Sequence, residues 1–172
     1  MAVYKVVVTG PFNSGKTEFV KNGSDIEIVE TERSITTEDK GIKALTTVAM
    51  DFGRVDFDDE RVHLYGTPGQ TRFSFMWETL AKDMNGFIVL VDATDPPSFP
   101  DAAELIETFS NFEDVPFIVV ANKVELDDAV SIDEIRVGTG VSSDVTIVSC
   151  TAIKKASVRQ VVATMLEELH KQ

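Results

Sequence analysis

The sequence predicts a single α/β domain over residues 1–172, with a doubly wound, mostly parallel sheet and helices on both faces. Short apolar runs of strand length alternate with amphipathic helical patterns, and one segment is typical of a hairpin. Strands without polar alternation are expected where helices cover both faces of a parallel sheet, and regular strand–helix alternation is typical of doubly wound domains.

The predicted strands follow from these runs. Residues 87–91 and 117–121 are continuous apolar stretches, residues 3–8 are apolar except for Lys5, and residues 145–148 form a shorter run. The one predicted hairpin pairs residues 48–57 with 61–65 across the acidic turn 58–60.

The predicted helices have recognisable starts. Ser98 precedes Asp101 by three residues with Pro100 between them, and Ser131 precedes Glu134 by three residues in a capping-box pattern. One apolar stripe near the end of the chain predicts a docked final helix, formed by Val158, Val161, Val162, Met165, Leu166 and Leu169.

The charge of the chain restricts its partners. A formal net charge of −13 argues against nucleic-acid binding and against electrostatic docking on anionic lipid. No apolar run approaches a membrane span, no signal peptide or lipidation motif is recognisable, and a lone Cys150 suits a reducing compartment. We therefore expect a cytoplasmic protein without a direct membrane anchor.

The first strand leads into Gly10-Pro11-Phe12-Asn13-Ser14-Gly15-Lys16-Thr17, which satisfies the phosphate-loop pattern G-x-x-x-x-G-K-[ST]. The glycines allow a turn whose successive N–H groups, including those of Asn13 and Ser14, face an anion, and the following helix adds its dipole. We expect Lys16 to reach the β- and γ-phosphates and Thr17 to coordinate Mg²⁺. Lys16 is the only charged residue of this loop.

A second motif, Gly66-Thr67-Pro68-Gly69-Gln70, follows a predicted strand. Here the chain resembles the Ras-like small GTPases, and most closely the bacterial and archaeal gliding-polarity GTPases, whose loop is T-x-P-G-Q. The resemblance implies a six-stranded sheet, an N–H of Gly69 that contacts the γ-phosphate, and a Gln70 side chain that orients the attacking water. Gly66 stands where most Ras-like proteins have an Asp that supports Mg²⁺.

The same resemblance assigns roles upstream. Thr47 aligns with the threonine that binds Mg²⁺ when a γ-phosphate is present, with Thr46 as the rival. Asp51 could supply the missing carboxylate from the second shell of the metal, or be an ordinary acid on a strand face. Polarity GTPases often carry an Arg before the switch threonine. Here that neighbour is Thr46, so hydrolysis is expected to be slow without a partner.

The base would be recognised after the predicted strand at residues 117–121. Asn122-Lys123-Val124-Glu125 corresponds to the N-K-x-D motif, with Glu125 in place of the Asp that binds guanine. The alternative is that Glu125 faces solvent. Cys150 and Thr151 stand near the family's S-A-K motif, where the N–H of Thr151 is a candidate donor to the guanine O6. Cys150 itself is expected to be a packed thiol.

These assignments predict a monomeric switch that binds GTP and GDP with Mg²⁺ and hydrolyses GTP, with Lys16, Gly69 and Gln70 as the catalytic groups. Regulators and effectors would bind around residues 31–50 and 66–80. In the second region, Phe73, Phe75, Met76 and Trp77 either form a partner surface or pack under a helix. The alternatives are a pseudo-GTPase that serves as an interaction module, and an ATPase or small-molecule kinase built on the same loop.

Overall fold

The computed structural model describes the backbone of all residues except 28, 40, 41, 69 and 70, and the side chains of all residues except 28–49 and 69–73. The first half of the chain forms β1 (Ala2–Thr9), α1 (Lys16–Gly23), β2 (Val29–Asp39), β3 (Ile42–Asp56) and β4 (Glu60–Gly66). A 3-10 helix (Thr71–Met76) then leads into α2 (Trp77–Ala81).

The second half alternates strictly between strands and helices: β5 (Gly86–Asp92), α3 (Phe99–Phe112), β6 (Phe117–Asn122), α4 (Ile132–Thr139), β7 (Ile147–Cys150) and α5 (Lys155–His170). A short 3-10 helix, Pro96–Ser98, precedes α3. No helix in the described part of the chain is long and apolar enough to cross a bilayer.

The sheet has the strand order β2-β3-β4-β1-β5-β6-β7. β4, β1, β5, β6 and β7 run parallel, and β3 is antiparallel to both β2 and β4. The α/β class, the mostly parallel sheet and the helices on both faces are confirmed. The described residues form seven strands rather than six, because β2 adds to the edge by pairing with β3 alone.

The hairpin formed by β2 and β3 is the main feature that the sequence did not predict. β2 is rich in Glu and Thr, so no apolar alternation identifies it as a strand. The predicted hairpin of β3 with β4 is present. β3 begins at Ile42, earlier than the predicted residue 48, because its first part pairs with β2.

Two apolar cores lie on opposite faces of the sheet. α1 and α5 cover one face, where Phe19 and Met165 are fully buried or nearly so. α2, α3 and α4 cover the other, around Phe87 and Phe109. Each central strand contributes side chains to both cores, which is why these strands have no polar alternation.

Two local predictions changed in detail. Ser131 does cap α4, since its Oγ accepts the N–H of Glu134 at 3.2 Å. Ser98 precedes α3 without capping it, because its Oγ donates to the Asp95 carbonyl at 2.7 Å within the preceding 3-10 helix. β7 starts at Ile147 instead of Val145, whose N–H donates to Ser142 in a turn.

Candidate nucleotide-binding site

The carboxyl ends of the parallel strands lie at one edge of the sheet, which is where doubly wound domains bind ligands. The loop between β1 and α1 occupies this edge. Asn13 and Gly15 have left-handed backbones, with φ of 66° and 103°. A Cβ on Gly10 would lie 2.3 Å from the Leu90 carbonyl oxygen, so only glycine fits against β5.

Lys16 is buried inside this loop, with 9% of its surface exposed. Its Nζ donates to the carbonyls of Gly10 at 2.9 Å and Pro11 at 3.1 Å. Burial lowers the pKa of Lys16 to about 8, against the opposing effect of the Asp51 charge. A buried ammonium that is hydrogen-bonded to neutral carbonyls is poorly compensated, and an anion in the loop would supply the missing charge.

The donors around Lys16 also fit a phosphate. The first N–H groups of α1 have no partner within the helix and carry the positive end of its dipole. The Oγ of Ser14, a residue 1% exposed, is buried without a hydrogen-bond partner among the described residues. The loop is therefore rich in inward donors and lacks acidic side chains.

Thr17 and Asp51 lie together, as a metal site would need. Thr17 Oγ1 donates to Asp51 Oδ2 at 2.8 Å. Asp51 is paired directly with Gly66 across β3 and β4, and a Cβ on Gly66 would lie 3.2 Å from the Asp51 Cβ. Asp51 thus occupies the space beside position 66. Hydroxyl and carboxylate oxygens are hard ligands of the kind that Mg²⁺ takes.

Of the other candidate γ-phosphate groups, the structure describes only the backbone of Thr46 and Thr47. The backbone of Thr47 lies in β3, paired with Ser34, and that of Thr46 pairs with Ile35. Asp51 follows Thr47 by four positions of extended strand, a span of about 13 Å. The side chains of Thr46 and Thr47, and all of Gly69 and Gln70, lie outside the described residues.

The segment before Gly69 is anchored to the sheet. The Thr67 N–H donates to the Val8 carbonyl at 2.9 Å, and the Thr67 and Thr9 hydroxyls are 3.0 Å apart. Pro68 accepts a hydrogen bond from Trp77 Nε1 at 3.2 Å. Of the aromatic residues that follow, Trp77 packs against Phe109, whereas Phe75 is 57% exposed. The side chain of Phe73 is outside the described set.

Asn122 and Lys123 join three loops at this edge. The Asn122 amide donates to the Ser14 carbonyl and accepts the N–H of Ala152, both at 3.0 Å. Lys123 Nζ contacts the Asn13 carbonyl at 3.1 Å and Asp92 Oδ2 at 2.7 Å. These contacts hold the segment that was expected to recognise the base against the loop between β1 and α1.

Asp92 is the site residue that sequence reasoning missed. Its Oδ1 accepts both the N–H and the hydroxyl of Thr94, at 2.9 and 2.6 Å. Burial alone would raise the pKa of Asp92, but the hydrogen bonds from Lys123 and Thr94 keep it below its usual value. The available signal was its position, since it is an acid that ends an otherwise continuous apolar strand.

Glu125 faces the β7 loop in this structure. Its Oε2 accepts a hydrogen bond from Thr151 Oγ1 at 3.1 Å. The Thr151 N–H, expected to be a donor to a guanine oxygen, instead donates to Ser157 Oγ at 2.9 Å. Cys150 is 1% exposed, and burial raises the pKa of its thiol, in agreement with a packed side chain.

Comparisons with known proteins agree with this architecture. The family model described as the Ras family matches residues 5–171. An uncharacterized protein of Methanocaldococcus jannaschii, MJ1339, is 34% identical over 124 residues, which are 72% of each chain. ADP-ribosylation factor-related protein 1 of Bos taurus is 28% identical over 142 residues, covering 77% of this chain and 65% of that protein.

The fold is also that of a solved structure. The Arl6 BBS3 small GTPase from Trypanosoma brucei, with the bound nucleotide analogue GppNp, superimposes with a TM-score of 0.77 at 19% identity and covers 99% of both chains. At that identity the likeness concerns the fold. The family model matches the chain along nearly its whole length, and the fold agrees with that match. The chain therefore belongs to the Ras family.

Proposed function

We propose that this protein is a Mg²⁺-dependent molecular switch that binds GTP and hydrolyses it to GDP and phosphate. The observation that carries the proposal is the buried Lys16, which has carbonyl partners and a lowered pKa inside a loop of inward donors. The T-P-G-Q motif and the placement of Asp51 beside Gly66 support the further proposal that the chain is of the gliding-polarity type.

In the proposed mechanism, Lys16 donates to the β- and γ-phosphate oxygens, and the N–H groups of the loop hold the phosphate chain. Thr17 would hold the metal through its hydroxyl oxygen, and Asp51, which accepts the hydrogen bond of that hydroxyl, would support it. Mg²⁺ would supply neutralisation of the developing phosphate charge. Gln70 orients the attacking water and Gly69 donates its N–H to the γ-phosphate, so that positioning and charge carry the rate.

The switching step would involve residues 31–50 and 66–80. Because Thr47 lies about 13 Å along β3 from Asp51, its hydroxyl reaches the metal only if the β2–β3 hairpin rearranges. GTP would favour that rearranged state, since it alone offers a γ-phosphate. The position before Thr47 is Thr46 and not Arg, so we propose slow hydrolysis that a partner accelerates.

The base-recognition part of the proposal rests on Glu125. Its two oxygens would accept hydrogen bonds from guanine N1–H and the exocyclic amine, which adenine does not offer in that arrangement. In Glu125→Gln an amide donor replaces one acceptor. We therefore expect GTP and GDP binding to weaken about 10- to 100-fold and weak ATP binding to stay unchanged.

The test is calorimetric titration of nucleotide-free protein with GTP, GDP and ATP, with and without Mg²⁺, on the wild type and on Glu125→Gln. Asp127→Asn, an exposed change of the same charge in the same loop, is the matched control. Equal affinity of the wild type for GTP and ATP would sink the guanine assignment. Release of phosphate from GTP, followed in parallel, separates a GTPase from a protein that only binds the nucleotide.

A further inference from the structure

Asp92 places a buried carboxylate at the edge of the sheet where the proposed nucleotide lies. It is the one acidic residue that is buried among the side chains that the structure describes, with 9% of its surface exposed. It ends β5 directly beside Asn122, which ends β6, and the Ala93 N–H donates to the Asn122 carbonyl at 3.0 Å. Burial of a carboxylate beside a polyanion is unfavourable by desolvation and by charge, so its presence there needs a compensating contact.

Both carboxylate oxygens of Asp92 have partners. Oδ1 accepts the N–H and the hydroxyl of Thr94, at 2.9 and 2.6 Å, and Oδ2 accepts a hydrogen bond from Lys123 Nζ at 2.7 Å. The ion pair is largely shielded from water, since the Asp92 side chain is 12% exposed and that of Lys123 is 32% exposed. Charge-assisted hydrogen bonds of this kind are short and strong. Thr94 therefore fixes the carboxylate, and the carboxylate fixes the lysine ammonium.

Lys123 spans the distance from the end of β6 to the phosphate loop. Its Nζ also donates to the Asn13 carbonyl at 3.1 Å. Lys123 and Asn13 both have φ of 66°, and they are two of the three non-glycine residues with a left-handed backbone in the described part of the chain. Such backbones cost energy and persist where surrounding contacts hold them. The ion pair with Asp92 is such a contact, and it acts on Lys123 itself.

The Lys123 stem lies where a nucleotide would pass. In the proposed function the base is held at Glu125, two residues after Lys123, and the phosphates are held in the loop that contains Asn13. The stem joins these two segments, so a nucleotide that occupies both of them lies alongside the stem. A free lysine loses rotamer entropy when such a ligand orders it. A lysine that Asp92 already holds has lost that entropy before the nucleotide binds, which favours binding.

We propose that Asp92 is a positioning residue for the nucleotide: acting through Lys123, it holds the base segment and the phosphate loop at the separation that one nucleotide spans. The inference rests on the proposed function and adds a residue that slows the release of GDP and GTP alike. The hydrogen-bond partners of Asp92 among the described residues are Thr94 and Lys123, and neither belongs to the phosphate loop. A ligand held by the phosphate loop alone should therefore not depend on Asp92.

Charge and positioning predict opposite results for Asp92→Asn. The variant removes a negative charge close to a polyanion, so charge alone predicts tighter nucleotide binding. Positioning predicts weaker binding, because a neutral amide holds the lysine ammonium less firmly than a carboxylate does. The matched control is Asp95→Asn, an exposed position in the same loop with the same change of charge.

The experiment measures the affinity and dissociation rate of GDP, and the affinity of pyrophosphate with Mg²⁺, for the wild type and both variants. Pyrophosphate occupies the phosphate loop without reaching the base segment. We expect Asp92→Asn to bind GDP about tenfold more weakly, through faster dissociation, and to bind pyrophosphate as the wild type does. Asp95→Asn should match the wild type for both ligands. Unchanged or tighter GDP binding by Asp92→Asn overturns the proposal, and so does an equal loss of GDP and pyrophosphate affinity.

A double-variant cycle tests whether Asp92 acts through Lys123. In a Lys123→Met background, Asp92→Asn should leave GDP affinity unchanged, because the ammonium that it positions is gone. A further tenfold loss in that background overturns the proposal. Thr94→Val removes the hydroxyl donor to Asp92 and serves if Asp92→Asn does not fold. It should weaken GDP binding by a smaller factor and leave pyrophosphate binding unchanged, and wild-type GDP affinity in that variant also overturns the proposal.

Failure of this proposal and failure of the proposed function give different results. A wild type that binds GDP tightly, with an Asp92→Asn variant of equal affinity, removes the positioning role and keeps the switch. A wild type that binds ADP as tightly as GDP removes the guanine assignment, and an Asp92→Asn variant that then binds both more weakly keeps the positioning role. Reductive methylation of Lys123 in the nucleotide-free protein gives a readout without ligand. It should be faster in Asp92→Asn than in the wild type and Asp95→Asn, and equal rates overturn the proposal.

Discussion

At the scale of single residues, Lys16 has the most unusual environment in the described part of the chain. Its ammonium is buried and its pKa is lowered to about 8, so above that pH the free protein holds this side chain mostly neutral. A triphosphate in the loop would favour the charged form and raise the pKa again.

This difference predicts that nucleotide binding takes up a proton at about pH 8.5, and that affinity falls as the pH rises above about 8. Proton uptake is measured by calorimetry in buffers of different ionisation enthalpy. Lys16→Met binds more weakly and lacks this uptake, and subtracting its result removes protons that belong to the nucleotide. Uptake that is the same in both proteins would show that Lys16 stays charged in the free loop.

Sequence reasoning at this scale was most specific where a motif fixes both residue type and spacing, as in the phosphate loop. The family resemblance pointed to Asp51, and the structure places its carboxylate in contact with the Thr17 hydroxyl. Sequence reasoning failed for Asp92, because the contact that places this carboxylate in the candidate site is with Lys123, a residue distant in sequence. No local pattern reports which loops the sheet brings together.

At the scale of elements, the β3–β4 pair explains why Gly66 is not an Asp. The two positions 51 and 66 face each other directly, so carboxylates at both would crowd a single site and repel each other. Gly66 has no left-handed backbone that would itself demand glycine. In the proposed mechanism the carboxylate is therefore supplied from the neighbouring strand, by Asp51.

An exchange of the two residues tests this interpretation. We expect Asp51→Gly to reduce the Mg²⁺-dependent gain in nucleotide affinity about tenfold, as losing an outer-shell ligand partner does. Gly66→Asp alone should lower thermal stability, and the double exchange Asp51→Gly with Gly66→Asp should recover part of the Mg²⁺ effect. If the Mg²⁺-dependent gain in nucleotide affinity is no larger in the double variant than in the weaker single variant, the two positions are not interchangeable supports of one site.

The β2–β3 hairpin shows which elements sequence patterns do not predict. The central strands are buried on both faces, so composition alone identified them. An edge strand is stabilised by backbone pairing and by β-branched residues such as those of β2, and it needs no apolar alternation. The position of Thr47 within that hairpin therefore was not predictable from its motif.

At the scale of the whole molecule, the predicted α/β architecture followed from the order of apolar and amphipathic segments, because connections in such sheets obey strong topological rules. The charge distribution adds a consequence of its own. A protein with a net charge of −13 must bind a polyanion at a loop whose one charged side chain is Lys16. Long-range repulsion and short-range attraction therefore oppose each other.

Salt weakens the long-range repulsion more than the short-range attraction. Exposed charges more than about 10 Å apart are screened at 0.1 M salt, whereas buried donors in the loop are not. We expect the association rate of GDP to rise severalfold between low and high ionic strength, the reverse of an electrostatically steered ligand. Stopped-flow measurement of Trp77 or a labelled nucleotide gives this rate, and uncharged guanosine is the control that should respond little. A GDP rate that falls with salt would mean that the field near the loop is positive despite the acidic surface, and that groups beyond Lys16 attract the nucleotide.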